Sequence, residues 1–183
     1  VAAGDSMAGV SVYLTADIVL SAPFTPIGVD EQAPFSGSFY GCGRTISGVY
    51  VEKDNYAGLF GYVYCGKIDG VELVNATVKG ENYTALLVGR LYAYEGAAAV
   101  SNCKASGTVN GVCYVGGLVG YACAAAYGVY ARAEIKGCKF NGTVNGDIHI
   151  GGILGKGDAR STSSRAEVIA SDCVANGFVS ANG

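Results

Sequence analysis

A seven-residue phrase occurs four times in this chain, and few folds can accommodate it. Tyr114 to Gly120 reads Tyr-Val-Gly-Gly-Leu-Val-Gly, and His149 to Gly155 reads His-Ile-Gly-Gly-Ile-Leu-Gly. Tyr83 to Gly89 reads Tyr-Thr-Ala-Leu-Leu-Val-Gly, and Asn55 to Gly61 reads Asn-Tyr-Ala-Gly-Leu-Phe-Gly. Aligned on the last residue, the third position is always small (Ala57, Ala85, Gly116, Gly151). The fifth is a large aliphatic (Leu59, Leu87, Leu118, Ile153) and the seventh is always glycine. Recurrence at about 30 residues marks a stacked-repeat architecture, in which one unit cannot bury its own apolar face and must share it with neighbours.

A second pattern runs through the same repeats. An aliphatic residue is followed three positions on by Val or Cys: Ile68 and Val71, Val100 and Cys103, Ile135 and Cys138, Ala170 and Cys173. Six residues later comes Val109, Val144 or Val179, but Val78 comes after seven. From the last glycine of each phrase to the next Val or Cys there are 10, 14, 18 and 18 residues. All the growth therefore lies in one connection. It predicts lengthening loops at Leu91–Gly96, Tyr121–Glu134 and Lys156–Glu167 on one face of a regular coil.

The 29 glycines fall at fixed places in the repeat, and 13 Tyr with many Val and Thr favour strands over helices. Helical repeats of this period tolerate far less glycine. A propeller blade needs four strands and usually Trp, of which there is none. The expected fold is all-β: a parallel β-helix of about five turns in one domain, 1–183. Residues 1–34 read as an N-terminal cap with a first strand over Val10 to Leu20, and 35–183 as the repeats, with a strand over Thr45 to Val51.

A net charge of -3 without a basic cluster gives no footprint for nucleic acid. Between Lys104 and Arg132 no charged residue occurs, a length able to span a bilayer. That stretch holds Thr108, Asn110 and six glycines, and its repeat counterparts carry charge, so it reads as a buried strand followed by a loop. No signal peptide is visible, as in a chain whose leader has been removed.

The repeats resemble the Gly-Leu-any-Gly (GLUG) family of bacterial surface proteins, which includes adhesins and the non-catalytic regions beside some surface peptidases. The lead-in carries the likeness too: Pro26-Ile27-Gly28, Phe35-Ser36-Gly37-Ser38-Phe39, then Gly41-Cys42-Gly43-Arg44-Thr45-Ile46. The family's turn there typically reads Asp-Gly-Asn-Gly-His, whereas here it is Tyr40-Gly41-Cys42-Gly43-Arg44, so the glycines persist and the polar groups do not. The resemblance, with the general preference for right-handed crossovers, implies a right-handed coil. It also implies an extracellular, cell-surface location, adjoining domains of a longer chain, and repeats that are not themselves catalytic.

The candidate sites are few. Tyr92, Tyr94, Tyr121, Tyr127 and Tyr130 lie in or beside the lengthening connections, and amphipathic rings with hydroxyls suit a host or bacterial surface protein or a glycan. A carbohydrate-active enzyme would need paired carboxylates; Asp54, Glu81 and Asp147 fall in neighbouring turns just before the repeated phrase. A third reading is an accessory domain of a larger surface peptidase. His149 is the only histidine and its counterparts in the phrase are Asn55, Tyr83 and Tyr114, so it reads as a half-exposed sheet position. One histidine rules out a His-Glu-x-x-His metal site, and the seven cysteines lack Cys-x-x-Cys spacing. Cys103, Cys138 and Cys173 are read as buried thiols stacked in successive turns. No cofactor or metal is expected.

Overall fold

The computed structural model describes residues 6–181. Every regular element in that range is a β-strand, and parallel pairing from coil to coil winds the strands into a β-solenoid of about five turns. Four faces are met in order around each coil. Face one stacks Ser11–Tyr13, Ser38–Tyr40, Lys67–Asp69, Ala97–Ser101, Ala131–Lys136 and Ala166–Ser171. Face two stacks Ile18–Val19, Thr45–Ser47, Glu72–Lys79, Lys104–Asn110, Lys139–Gly146 and Val174–Ala181, with Tyr50–Glu52 also pairing onto Glu72–Lys79. Face three stacks Asn55–Ala57, Asn82–Ala85, Cys113–Gly116 and Ile148–Gly151. Face four stacks Phe60–Tyr64, Val88–Tyr94, Val119–Ala126 and Leu154–Ser161. Backbone donors and acceptors are thus satisfied between coils, which lets short strands persist without helices covering them.

The interior is built from the columns the sequence repeats. Ile68, Val100, Ile135 and Ala170 stand in register on face one, and Val78, Val109, Val144 and Val179 do so on face two. The extra residue before Val78 is a bulge: the register slips between Ala105 and Gly107, opposite Leu73 and Ala76. Asn75 sits in it with φ 53°, a left-handed conformation that Asn tolerates, and the Ser106 Oγ accepts its N–H at 3.1 Å.

The repeated phrase forms the corner from face three to face four. Leu59, Leu87 and Leu118 are fully buried there, and Ile153 packs partly buried onto the same core. Backbone bonds tie the column together: Phe60 N–H donates to Leu87 O (2.8 Å), Val88 N–H to Leu118 O (2.9 Å) and Val119 N–H to Ile153 O (2.9 Å). The corner from face one to face two holds Val71, Cys103 and Cys138 at full burial, with Cys173 half-buried. Each thiol lies against the carbonyl two residues back, at 3.1 Å for Cys103, 3.3 Å for Cys138 and 3.1 Å for Cys173. All seven cysteines are free, and hydrogen bonding with the neighbouring Cys138 thiol, followed by burial, pushes the Cys103 thiol up.

Three expectations need correction. The chain from Val10 to Leu20 forms two short strands, not one, because Thr15 to Asp17 make a corner; likewise Thr45 to Glu52 is broken at Gly48, whose φ is 72°. The growth of the coil goes mainly into strands, not loops. Successive face-four strands have 5, 7, 8 and 8 residues, and their face-one successors have 3, 5, 6 and 6. The turn between them is only Glu95-Gly96 in one coil and Tyr127 to Tyr130 in the next. The uncharged stretch after Lys104 is three strands, of which Val119–Ala126 is buried throughout, and no helix among the described residues is long and apolar enough to cross a membrane.

One interior position is at odds with its neighbours. Thr84 pairs with Ala57 and Val115, is fully buried, and its Oγ1 has no hydrogen-bond partner among the described residues. A buried hydroxyl left unpaired costs about 1–3 kcal/mol. Thr84→Val keeps the shape and matches Val115 in the next coil. It is expected to raise stability by about 1 kcal/mol, seen as a Tm increase of roughly 2–4 °C for a chain of this size; a lower Tm would show that the hydroxyl has a partner.

Candidate functional site

The outer surface of faces three and four is paved with tyrosine. Every second residue of a strand points outward, and on face three the outward residue is Tyr56, Tyr83, Tyr114 and then His149. Their rings stack in one ladder with centroids 5.1 Å apart at each step and interplanar angles of 6°, 10° and 18°. All four have left-handed backbones, with φ 57°, 56°, 58° and 55°. The counterpart of His149 in the second coil is therefore Tyr56 and not Asn55. The strand Asn55–Ala57 is one residue shorter than its successors, so Asn55 pairs with Asn82 and Ala57 with Thr84.

The same left-handed corner explains the invariant glycine. A Cβ added to Gly120 would lie 2.7 Å from the Tyr114 carbonyl oxygen and 2.7 Å from that of Gly89, one coil away. Gly61, Gly89 and Gly155 are wedged in the same way. The glycine is required by close approach of two backbones, not by a positive φ of its own.

Face four continues the paving. Tyr62, Arg90, Tyr121 and Lys156 share one register position. The Arg90 guanidinium lies 5.0 Å from the Tyr62 ring centroid, 5.2 Å from Tyr92, 5.5 Å from Tyr83 and 5.7 Å from Tyr121. Glu31, reaching over from the first coil, pairs with Arg90 and accepts a bond of 2.9 Å from the Tyr56 hydroxyl. Arg suits such a cage because its weakly hydrated plane stacks on rings while its rim still pairs with a carboxylate. Burial pushes the Tyr62 and Tyr121 phenols well above their usual range, so they remain protonated. Tyr121 donates to Asp158 at 3.0 Å, and Asp158 is held by Arg160 at 2.7 Å.

Beyond Arg90 the rings tilt. Tyr64, Tyr92, Tyr94 and Tyr127 run on with centroids 5.8, 6.2 and 6.1 Å apart and angles of 64°, 57° and 43°. Nine tyrosines and His149 thus form one connected aromatic network, in which Tyr62 and Tyr121 are themselves buried beneath their neighbours. Cys123 and Ala125, in the buried face-four strand, pair in register with Tyr92 and Tyr94. Of the residues singled out by sequence, Tyr92, Tyr94, Tyr121 and Tyr127 belong to this network, on or just after strands. Tyr130 stands apart at the corner toward face one, donating to Glu167 at 2.5 Å. Tyr56, Tyr62, Tyr64, Tyr83, Tyr114 and Arg90 are further members; the available signal was an aromatic two places before the small position in three of the four phrases (Tyr83, Tyr114, His149).

The acidic candidates make a different arrangement. The Asp54 carbonyl accepts from Glu81 N–H (2.7 Å), the Glu81 carbonyl from Val112 N–H (2.8 Å), and the Val112 carbonyl from Asp147 N–H (2.9 Å). Asp54, Glu81 and Asp147 therefore stand in a single exposed column with Val112 interposed, instead of facing one another across a groove. Among the described residues no three His, Cys, Asp or Glu side chains gather where they could hold a metal ion. Cys113 Sγ lies 4.0 Å from His149 Nδ1, a weak exposed contact.

A parallel solenoid with this corner is the class the structure defines. Residues 80–110 match the family model for the GLUG motif. Those residues make one complete coil, from the corner before Asn82–Ala85 through faces four and one to the end of Lys104–Asn110. Halomucin of Haloquadratum walsbyi (strain DSM 16790 / HBSQ001) is 37% identical over 100 residues, which is 53% of this chain and 1% of that protein. The match thus spans about one hundredth of that relative's length. No solved structure matches this chain.

Proposed function

We propose that this chain is a non-catalytic module of an extracellular, cell-surface protein, adjoined by other domains, and that the tyrosine-paved flank is its binding surface. The GLUG coil and the similarity to part of a very long protein support the surface-module reading. The connected aromatic network around Arg90 supports the binding role: tyrosine supplies large contact area at low conformational cost and carries a hydroxyl for polar readout. The partner is a surface protein or a glycan, met in an adhesive or stalk-like setting.

The test uses the labelled chain on intact cells and on separated extracellular protein and polysaccharide fractions. Tyr94 and Tyr127 are exposed and Tyr92 is half-buried, so Tyr92→Ala/Tyr94→Ala/Tyr127→Ala is expected to keep the strand signal in circular dichroism. Binding should fall at least about tenfold, since truncating two or three anchoring aromatics costs more than 1 kcal/mol each at a true interface. Undiminished binding by this folded variant would remove the flank from the function.

A further inference from the structure

We infer that Cys138 and Cys173 form a covalent modification site, at which a small disulfide oxidant converts two stacked thiols into one staple between neighbouring coils. The chemistry is independent of what the tyrosine flank binds. It gives the thiol column a role beyond filling the corner from face one to face two.

Three sulfurs stand in one column. Lys139 N–H donates to the Cys103 carbonyl at 2.8 Å and Val174 N–H to the Cys138 carbonyl at 2.9 Å, so the three cysteines occupy the same place in successive coils. Each thiol leans back toward the coil before it. Cys103 Sγ lies 3.9 Å from the Ile68 carbonyl oxygen, Cys138 Sγ 3.7 Å from that of Val100, and Cys173 Sγ 3.7 Å from that of Ile135. The Cys173 sulfur is thereby carried toward Cys138, and the two thiols share a hydrogen bond. Paired positions of neighbouring coils lie about 4.7–4.9 Å apart, inside the range of about 4.4–6.8 Å between Cα atoms that a disulfide spans. Cys113 and Cys123 have no such partner, being flanked by Asn82 and Ile148 and by Tyr92 and Asp158.

Exposure chooses the pair and the order of attack. Cys103 and Cys138 are buried, whereas Cys173 is half-buried and is where a reagent meets the column. The strand after it, Val174–Ala181, pairs on one side only among the described residues, so it has the most freedom to bring the two Cβ atoms together. Hydrogen bonding with Cys103 holds the Cys138 thiol below the ordinary cysteine range against the opposing effect of burial, which suits it to resolve a mixed disulfide. With oxidised glutathione as oxidant, the Cys173 thiolate attacks one glutathione sulfur and releases one glutathione thiol. The Cys138 thiolate then attacks Cys173 Sγ, forms the Cys138–Cys173 bond and releases the second. Two protein thiols give up two electrons and two protons, and the glutathione disulfide takes them up. Cys103 stays a thiol, because Cys138 can serve only one neighbour. The bond closes one full turn of the solenoid, and the extracellular setting proposed above is one in which disulfides persist.

The experiment treats the reduced, folded chain with oxidised glutathione, at mildly alkaline pH because burial raises the Cys173 thiol. Remaining thiols are then blocked with iodoacetamide and tryptic peptides are weighed. A linked pair of peptides carrying Cys138 and Cys173 is expected, about 2 Da lighter than the two reduced peptides together. The oxidised chain should melt roughly 5 °C or more above the reduced one, and dithiothreitol should reverse the gain. Amide exchange in Ala166–Ser171 and Val174–Ala181 should slow with it. Cys103→Ala should keep the staple. Cys173→Ala should abolish it, and the two buried thiols that remain should give no link in the same time. Glutathione held on Cys173 without a link, or a Cys103–Cys138 link in either the parent or Cys173→Ala, overturns the inference. A linked chain with unchanged melting and exchange overturns it as well, since such a bond would staple nothing.

Discussion

Gly120→Val is expected to abolish the folded solenoid. A Cβ at this position meets the Tyr114 carbonyl oxygen at 2.7 Å, the Gly89 carbonyl oxygen at 2.7 Å and the Thr84 backbone nitrogen at 2.8 Å. All three are backbone atoms held by the coil-to-coil ladder, so none can rotate away as a side chain would. A β-branched residue adds two further carbons to the same wedge. The cost should exceed about 4 kcal/mol, at the far end of what single substitutions do. Loss of the strand signal in circular dichroism, or insoluble expression, is the expected result. Gly96→Ala is the control: its added Cβ meets nothing closer than the Tyr94 carbonyl oxygen at 3.6 Å, and stability should move by no more than about 0.5 kcal/mol. A Gly120→Val variant melting with the parent would remove the close-approach account of the corner.

Leu118→Ala comes next in size. Leu118 is fully buried between Leu87 and Ile153 in the corner column, and its carbonyl accepts the Val88 N–H at 2.9 Å. Truncation leaves a void lined by β-strand side chains whose backbones are fixed by parallel pairing on both sides, so little collapse can fill it. A loss of about 3–5 kcal/mol is expected in urea or guanidinium unfolding. Because each coil contacts only its neighbours, the damage should also spread as local fraying, seen as faster amide exchange in Asn82–Ala85 and Ile148–Gly151 than in Lys67–Asp69. Uniform exchange across all coils would instead mean that the array melts as one cooperative block.

The interior was legible because it demands strict identity. Only glycine fits where two backbones close at residues 61, 89, 120 and 155, and only a large aliphatic fills the column beside it. These positions therefore repeat visibly in one sequence. The aromatic ladder was partly hidden: one residue is missing from Asn55–Ala57, which moved Tyr56 out of the slot that Tyr83, Tyr114 and His149 occupy. Strand lengthening was hidden for a different reason. Tyr121 to Ala126 lacks the alternation of a half-buried strand, because its small outward residues, Cys123 and Ala125, are buried as well, whereas in Leu91 to Tyr94 the alternation of buried Leu91 and Ala93 with outward Tyr92 and Tyr94 is masked by the apolar character of tyrosine. Partners that cross between coils, such as Glu31 with Arg90, leave no local pattern at all, since the contact joins residues 59 positions apart.

The circumference of the coil has a further consequence. Val12 to Phe39, Phe39 to Ile68 and Ile68 to Val100 are aligned pairs of growing separation, but Val100 to Ile135 and Ile135 to Ala170 are both steps of 35 residues. Only from this constant-bore segment could a cassette be cut and pasted in tandem without leaving a ledge at the seam. Recombination that copies a narrower ring would insert a constriction and strand the side chains above it. Elongation by internal duplication is thus channelled to the wide bore, where added copies are interchangeable.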